Sequence, residues 1–214
     1  MTTVIFVRHG QSESNLAQVF TGQGNASLTP LGMEQAERTA DYLQRYPINR
    51  IYASDLRRAM QTAQPTARRL GLPVIPDPQL REIAAGEWEG KPYATLRARY
   101  AADYAVWLDD IGRSQPTGGE RVSELYTRIC GAVDRIVQAH RGDCIAIFTH
   151  ATPTRAIGCR WFGYPPEEMA RLAWVPNASV SAAEYADNGS IRVLQFGYDG
   201  HLGASSTEIP RGLA

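Results

Sequence analysis

Residues 4–15 read VIFVRHGQSESN: four consecutive apolar side chains, Val4, Ile5, Phe6 and Val7, stop on Arg8, His9 and Gly10. An unbroken run of β-branched and aromatic residues with no polar alternation predicts a strand covered on both faces, as in a parallel sheet. A second such run, CIAIFTH at 144–150, also closes on a histidine, His150. In open α/β sheets ligands sit beyond the carboxyl ends of the strands, so neighbouring parallel strands would deliver His9 and His150 to one crevice.

The rest of the chain follows the rhythm these two strands imply. Residues 28–46, LTPLGMEQAERTADYLQRY, predict a helix with Thr29 as N-cap, Pro30 at its first position and an apolar face of Met33, Ala36, Ala40 and Leu43. INRIYASD at 48–55 reads as a third strand, and DLRRAMQTAQPTARRLG at 55–71 as a helix ending on Gly71. Pro65 inside that helix predicts a kink or an early break. The proline-flanked LPVIPDPQL, 72–80, suits a sheet edge. Residues 86–119, rich in Tyr and Trp, interrupt the pattern and read as a helical cap inserted over the crevice. The helix at 120–142 carries Val122, Leu125, Ile129, Val133, Ile136 and Val137 on one stripe and stops at Gly142. Residues 178–198 predict a hairpin about Asn188 and Gly189. The expected fold class is α/β: a three-layer α/β/α sandwich whose mostly parallel central sheet has an antiparallel edge and a small helical cap insertion.

Composition sets the bounds. At 214 residues one well-filled domain, 1–214, is expected. Lysine plus arginine balance aspartate plus glutamate, 22 against 22, so the global field does not favour nucleic acid or an acidic membrane as partner. Cys130, Cys144 and Cys159 are odd in number and far apart, which argues against a disulfide framework. There is no basic leader and no stretch near the ~20 apolar residues of a membrane span. A cytoplasmic protein is expected.

The strand at 48–55 ends at the same edge and leads into Arg57 and Arg58. Two histidines and two arginines gathered without acids call for an anion, since at an effective dielectric of 20 a like-charge pair ~4 Å apart repels by about 4 kcal/mol. Phosphate matches the planar guanidinium fork, and the backbone N–H groups of Gly10 and Ser12 are expected as further donors. Surrounding positive charge should also keep His9 neutral, as a nucleophilic imidazole must be.

RHGQSESN (8–15), SDLRRAMQTA (54–63), LREIAAGEWEG (80–90) and FTH (148–150), in this order, resemble the histidine phosphatase superfamily, which includes the cofactor-dependent phosphoglycerate mutases. The resemblance implies that His9 is phosphorylated, that Arg8 and Arg58 bind the phosphoryl group, that His150 assists and that Glu82 is the acid/base carboxylate. It places Asn15, Thr21, Gly22 and Ala151 in the substrate pocket, and it implies no cofactor and no metal. The partner is then a small phosphorylated metabolite, hydrolysed as a phosphate monoester through a phosphohistidine. A phosphoglycerate mutase and a non-catalytic phospholigand-binding module are the alternatives. The short chain and the text after Glu82, IAAGEWEGKP, favour the phosphatase branch.

Several details depart from the commonest family pattern. Ser12 stands where threonine is frequent, Ala151 and Thr152 where glycines often follow the second histidine, and Arg121 where serine is frequent; Arg121 either faces solvent or reads an acidic substrate. Arg57 is expected to be solvated, His140 to cap a helix end, and His201 has no assigned role. Trp88, Tyr93, Tyr100, Tyr104 and Trp107 either select a substrate or pack the cap. Around Glu82 two effects oppose: arginines lower its pKa and a bound phosphate raises it. Cysteine-based phosphatase chemistry is excluded, because the positions six residues after the cysteines hold Ile136, His150 and Pro165. GEWEGKP (86–92) falls one residue short of a phosphate-binding Walker loop, and the four histidines show no metal-ligand spacing. The C-terminal hairpin offers an edge for a homodimer.

Overall fold

The computed structural model describes residues 1–209. In chain order the regular elements are β1 (Thr2–Arg8), α1 (Glu13–Leu16), β2 (Val19–Phe20), α2 (Pro30–Leu43), β3 (Arg50–Ala53), α3 (Arg57–Leu70), β4 (Val74–Pro76), β5 (Lys91–Pro92), α4 (Tyr93–Arg99), α5 (Ala101–Asp109), α6 (Val122–Ala139), β6 (Cys144–Thr149), α7 (Ala151–Phe162), β7 (Val180–Tyr185) and β8 (Ile191–Tyr198). Six strands form the central sheet in the order β4-β3-β6-β1-β7-β8, and β2 pairs with β5 in a small second sheet. The pairings β3–β4, β3–β6 and β1–β6 are parallel, whereas β7 and β8 run antiparallel. The expected three-layer architecture and its antiparallel edge are both present.

The two faces are set by alternation along the strands. Val4 and Phe6 of β1, with Ile145 and Ile147 of β6, join a cluster containing Val122, Leu125, Ile129 and Val133 of α6 and Ile157 and Trp161 of α7. Ile5, Val7, Ala146 and Phe148 face the other way, onto Leu43 of α2 and Ala63 and Ala67 of α3. Residues 86–119 are helical at α4 and α5, and Trp88, Leu96, Tyr104, Trp107 and Ile111 enter the α6–α7 cluster. The hairpin turns at Gly189 with φ +85°, a left-handed conformation that suits glycine. His140 is the C-cap of α6, with its ring between the Tyr52 hydroxyl and Asp143. His201 stacks on Tyr42 and meets Thr39 Oγ1 at 3.0 Å, and burial pushes its pKa down to about 4.

Two expectations about helices fail. Pro65 does not end α3, which runs on to Leu70 and closes on Gly71 in the left-handed conformation. A proline inside a helix costs about 3 kcal/mol, the lost bond and the ring clash together; here Ala63 and Ala67 on either side are packed into the sheet, and Arg68 and Arg69 bind Glu37 of α2. Tertiary packing carries the helix across the break. Met33 is not on the inward face of α2: it is 46% exposed, and Gly32, Gln35, Ala36, Thr39, Ala40 and Leu43 are buried instead.

That polar stripe exists because α2 lies against the loop after β1. Gln35 accepts the Gln11 N–H at 2.7 Å and donates to the Ser205 carbonyl at 2.7 Å. A Cβ at Gly32 would fall 2.0 Å from the Gln11 carbonyl oxygen, and one at Gly10 would fall 2.5 Å from that of Gly32. The close approach of these two backbones fixes the loop that carries His9. Gly32→Ala, which has no space to relax into, is expected to lower stability in urea melts by about 1–3 kcal/mol, the cost of overpacking a tight contact; an unchanged melt would contradict that contact.

Candidate active site

Parallel pairing of β1 with β6 puts Arg8 opposite Thr149, and the His9 N–H donates to the Thr149 carbonyl at 2.9 Å. His9 and His150 therefore leave adjacent strands side by side, with ring centres 5.2 Å apart. β3 flanks β6 on its other side, and the Ser54 N–H donates to the Phe148 carbonyl at 2.8 Å, bringing the start of α3 and Arg58 to the same edge.

The hydrogen bonds fix the state of His9. Its Nδ1 meets the Gly10 carbonyl at 2.7 Å, and a carbonyl only accepts, so Nδ1 carries the proton. Nε2 is left as a lone pair, which accepts from Arg58 Nε at 3.2 Å. Burial first, then the charges of Arg58 and Arg8, hold the His9 pKa well below its ordinary 6.5. The imidazole is neutral, as expected, although burial rather than the arginines is the larger cause.

Arg58 is anchored by its other two nitrogens to the carbonyls of Gly24 and Gly22, at 2.7 and 2.8 Å. The Gly22–Gly24 turn is in turn held by Glu89, whose carboxylate accepts from the N–H groups of Gln23, Gly24 and Ala85. Arg8 donates to the Val175 carbonyl at 2.5 Å, while its Nε is buried without a protein partner among the described residues. Burial pushes both guanidinium pKa values down to about 10. His150 Nε2 meets Ser54 Oγ at 2.8 Å, and its Nδ1 has no protein partner among the described residues. The His150 ring is fully buried behind that of His9 rather than on the cavity wall.

A chain of donors also orients Asn15. Asn177 Nδ2 donates to the His9 carbonyl and to Asn15 Oδ1, each at 3.1 Å, and Ser12 gives its N–H and its hydroxyl to the same Asn15 oxygen. Asn15 therefore keeps its NH2 group for the cavity it lines. Glu82 lines the same cavity; its Oε1 accepts from the Ile83 N–H at 2.8 Å and its Oε2 from Thr152 N–H at 3.3 Å. Burial outweighs the Arg58 charge and these hydrogen bonds, so the Glu82 pKa is raised. Arg8, Asn15, Thr21, Gly22, Arg58, Glu82 and Ala151 all line one cavity with His9, together with Ser12, Val19, Phe20, Tyr93, Trp107, Thr152 and Trp174.

Some expectations are corrected here. The N–H groups of Gly10 and Ser12 are not available to an anion: the first donates to Thr62 Oγ1 at 3.1 Å and the second to Asn15 Oδ1. They hold the loop to α3 and to itself. Of the five cap aromatics only Tyr93 and Trp107 reach the cavity, whereas Trp88 and Tyr104 are packed inside the cluster. Arg121 is exposed and lies off the cavity, at the start of α6, and Arg57 is exposed near Asn25 and Ser27. The sequence reading missed Trp174, Asn177 and Ser54, because each acts through a neighbour far away along the chain. Glu89 was within reach of that reading, as the third acid in LREIAAGEWEG.

Residues 4–197 match the model of the histidine phosphatase superfamily, branch 1. The chain belongs to that superfamily. Phosphoserine phosphatase 1 of Hydrogenobacter thermophilus is 27% identical over 100% of both chains. The structure of Bacillus stearothermophilus YhfR is 27% identical with a TM-score of 0.90, over 94% of this chain and 100% of that one. A mycobacterial glucosyl-3-phosphoglycerate phosphatase in complex with VO3 is 26% identical, with a TM-score of 0.85 over 92% and 99%. Against the mycobacterial relatives that it matches at 31% identity, the chain spans about half their length, 53%. Among the described residues of this histidine phosphatase family member, no cluster of metal-ligating side chains is present, and no helix is long and apolar enough to cross a membrane.

The raised Glu82 pKa links this site to stability. A carboxyl that binds its proton more tightly when folded adds stability below its ordinary 4.5, and that stability is lost as pH rises through the folded value. Glu82→Gln, which keeps the shape without the charge, is expected to raise Tm relative to the parent at pH 7.5 and to lose that advantage at pH 4. A constant difference across thermal melts at the two pH values would refute the linkage.

Proposed function

We propose that this protein is a phosphatase that hydrolyses phosphate monoesters of small metabolites through a phosphohistidine at His9. The observation that carries the reading is the His9 ring, neutral, with its proton pinned on Nδ1 by Gly10 and its Nε2 lone pair turned to a buried guanidinium. A buried cation beside a nucleophilic nitrogen suits an anionic electrophile, and phosphoryl transfer depends mostly on positioning and charge.

In the first step the Nε2 lone pair attacks phosphorus and the bond from phosphorus to the ester oxygen breaks. The Arg58 Nε–H, which caps that lone pair in this structure, passes to a phosphoryl oxygen, and the Arg8 Nε–H and the Asn15 amide hold the others. His150, packed against the His9 ring with its Nε2 2.8 Å from Ser54 Oγ, assists from behind that ring rather than from the cavity wall. Glu82, whose hold on its proton is strengthened by burial, gives that proton to the departing alkoxide. Glu82, now ionised, takes a proton from water; the hydroxide attacks phosphorus, the bond to Nε2 breaks, and phosphate leaves with the histidine restored.

Hydrolysis fits better than mutase chemistry, because Arg8 and Arg58 are the only cationic side chains among the described residues lining the cavity, enough for one phosphoryl group but not for a bisphosphate. Relatives named as phosphatases that align with nearly the whole chain support the same reading. The partner is then a small phosphorylated metabolite; a cytoplasmic setting and a homodimer through the β8 edge belong to the same proposal.

Mixing the protein rapidly with a phosphate ester and quenching in alkali is expected to trap a base-stable, acid-labile phosphoryl group, located at His9 by mass spectrometry and absent from His9→Ala. Loss of the acid in Glu82→Gln is expected to slow the first step with alkyl phosphates by about 10²–10⁴-fold while sparing the pre-steady-state burst of 4-nitrophenolate from 4-nitrophenyl phosphate, whose leaving group needs no proton. Equal phosphate release by His9→Ala and the parent would overturn the reading.

A further inference from the structure

The cavity is lined by two unlike sets of residues. One is Arg8, His9, Arg58, Glu82 and the Asn15 amide; the other, an apolar wall, is Val19, Phe20, Tyr93, Trp107 and Trp174. We infer that this second wall is a built subsite for an uncharged alcohol with a flat apolar face, so that the favoured substrates are monoesters of such alcohols rather than of hydroxy acids. The inference rests on the phosphatase reading above and adds the class of leaving group.

Three observations carry it. The aromatic groups are fixed rather than loosely exposed. Trp107 and Trp174 lie with ring centres 6.1 Å apart and 35° between their planes, and Phe20 meets Trp107 edge-on at 5.2 Å. Trp174 comes from the loop before β7 and is braced from behind by Arg155 of α7, whose buried guanidinium lies 4.3 Å from the ring centre while donating to the Met169 carbonyl. A stacking surface held in place loses little freedom when a ligand binds, which is the usual gain from preorganisation.

Next, among the described residues lining the cavity the only cationic side chains are Arg8 and Arg58. A carboxylate on the alcohol would lose its water against Trp and Phe with no cation to meet it, since Arg8 and Arg58 are engaged by the phosphoryl group. The exposed Arg121 lies off the cavity and does not supply that cation. Finally, Glu82 lines the same cavity, and its carboxylate form, needed in the second step, repels an acid there.

The experiment compares three esters with aliphatic leaving oxygens: 2-naphthylmethyl phosphate, ethyl phosphate and 3-phosphoglycerate, measured by steady-state phosphate release. The expected order of kcat/KM is naphthylmethyl, then ethyl, then 3-phosphoglycerate, with the first two separated by roughly tenfold or more, mainly in KM. Trp174→Ala is expected to collapse the naphthylmethyl-to-ethyl ratio, and Trp174→Phe to restore most of it; the Phe variant guards against misfolding of the Ala one, and circular dichroism melts check both. Equal or better turnover of 3-phosphoglycerate by the parent, or an unchanged ratio in a folded Trp174→Ala, overturns the subsite while leaving the phosphatase reading intact. No release above His9→Ala from any ester overturns both.

Discussion

Two guanidinium groups, Arg8 and Arg58, are buried at the carboxyl edge of the sheet, and among the described residues neither forms an ion pair with a carboxylate. Desolvating a charge costs several kcal/mol even after the protein relaxes. Their stabilisation comes from backbone carbonyls, Val175 for Arg8 and Gly22 and Gly24 for Arg58. Hydrogen bonds to charged groups contribute about 1.5–3 kcal/mol each, so the carbonyls offset much of the cost without neutralising the charge. The site thereby keeps a net positive field at a point reached by an anion. A carboxylate paired tightly with either arginine would have stabilised the fold and removed that field.

The rest of the structure keeps those carbonyls and the His9 ring where they are. Glu89 spends its carboxylate on three N–H groups around residues 22–24 and 85, at a distance from the chemistry. Thr62 ties Gly10 to α3, and Gln35 of α2 ties Gln11, so the loop after β1 is gripped by both helices of one layer. Asn177, from the segment before β7, reaches the His9 carbonyl and the Asn15 side chain together. The layer of α2 and α3 and the segment before β7 thus converge on His9, Gly10, Gln11 and Asn15. Tyr93 and Trp107 from residues 86–119 and Trp174 from the loop before β7 line the same cavity. Charged and aromatic side chains thus share one cavity.

Local signals in this chain were reliable where the chain acted locally. The N-cap at Thr29, the left-handed stop at Gly71 and the turn at Gly189 are decided by a few residues' own conformational preferences, and all three appear as read. Pro65 and Met33 misled because their outcome depended on partners: α3 is held by the sheet and by Glu37, and α2 turns Gln35 rather than Met33 inward to satisfy a loop amide. The N–H groups of Gly10 and Ser12 looked available for an anion because their acceptors, Thr62 and Asn15, become neighbours only through the fold or through the orientation of a side chain.

By itself the sequence determined the strands that end in His9 and His150, the helix that brings Arg58, and hence which residues gather at one edge, because strand hydrophobicity and motif order are properties of the chain. Tertiary structure alone decided the proton position on His9, the amide direction of Asn15, the balance of burial over charge at Glu82 and the pairing of Trp107 with Trp174. Those are matters of hydrogen-bond direction and desolvation, and both depend on contacts between residues far apart along the chain, which no local pattern encodes.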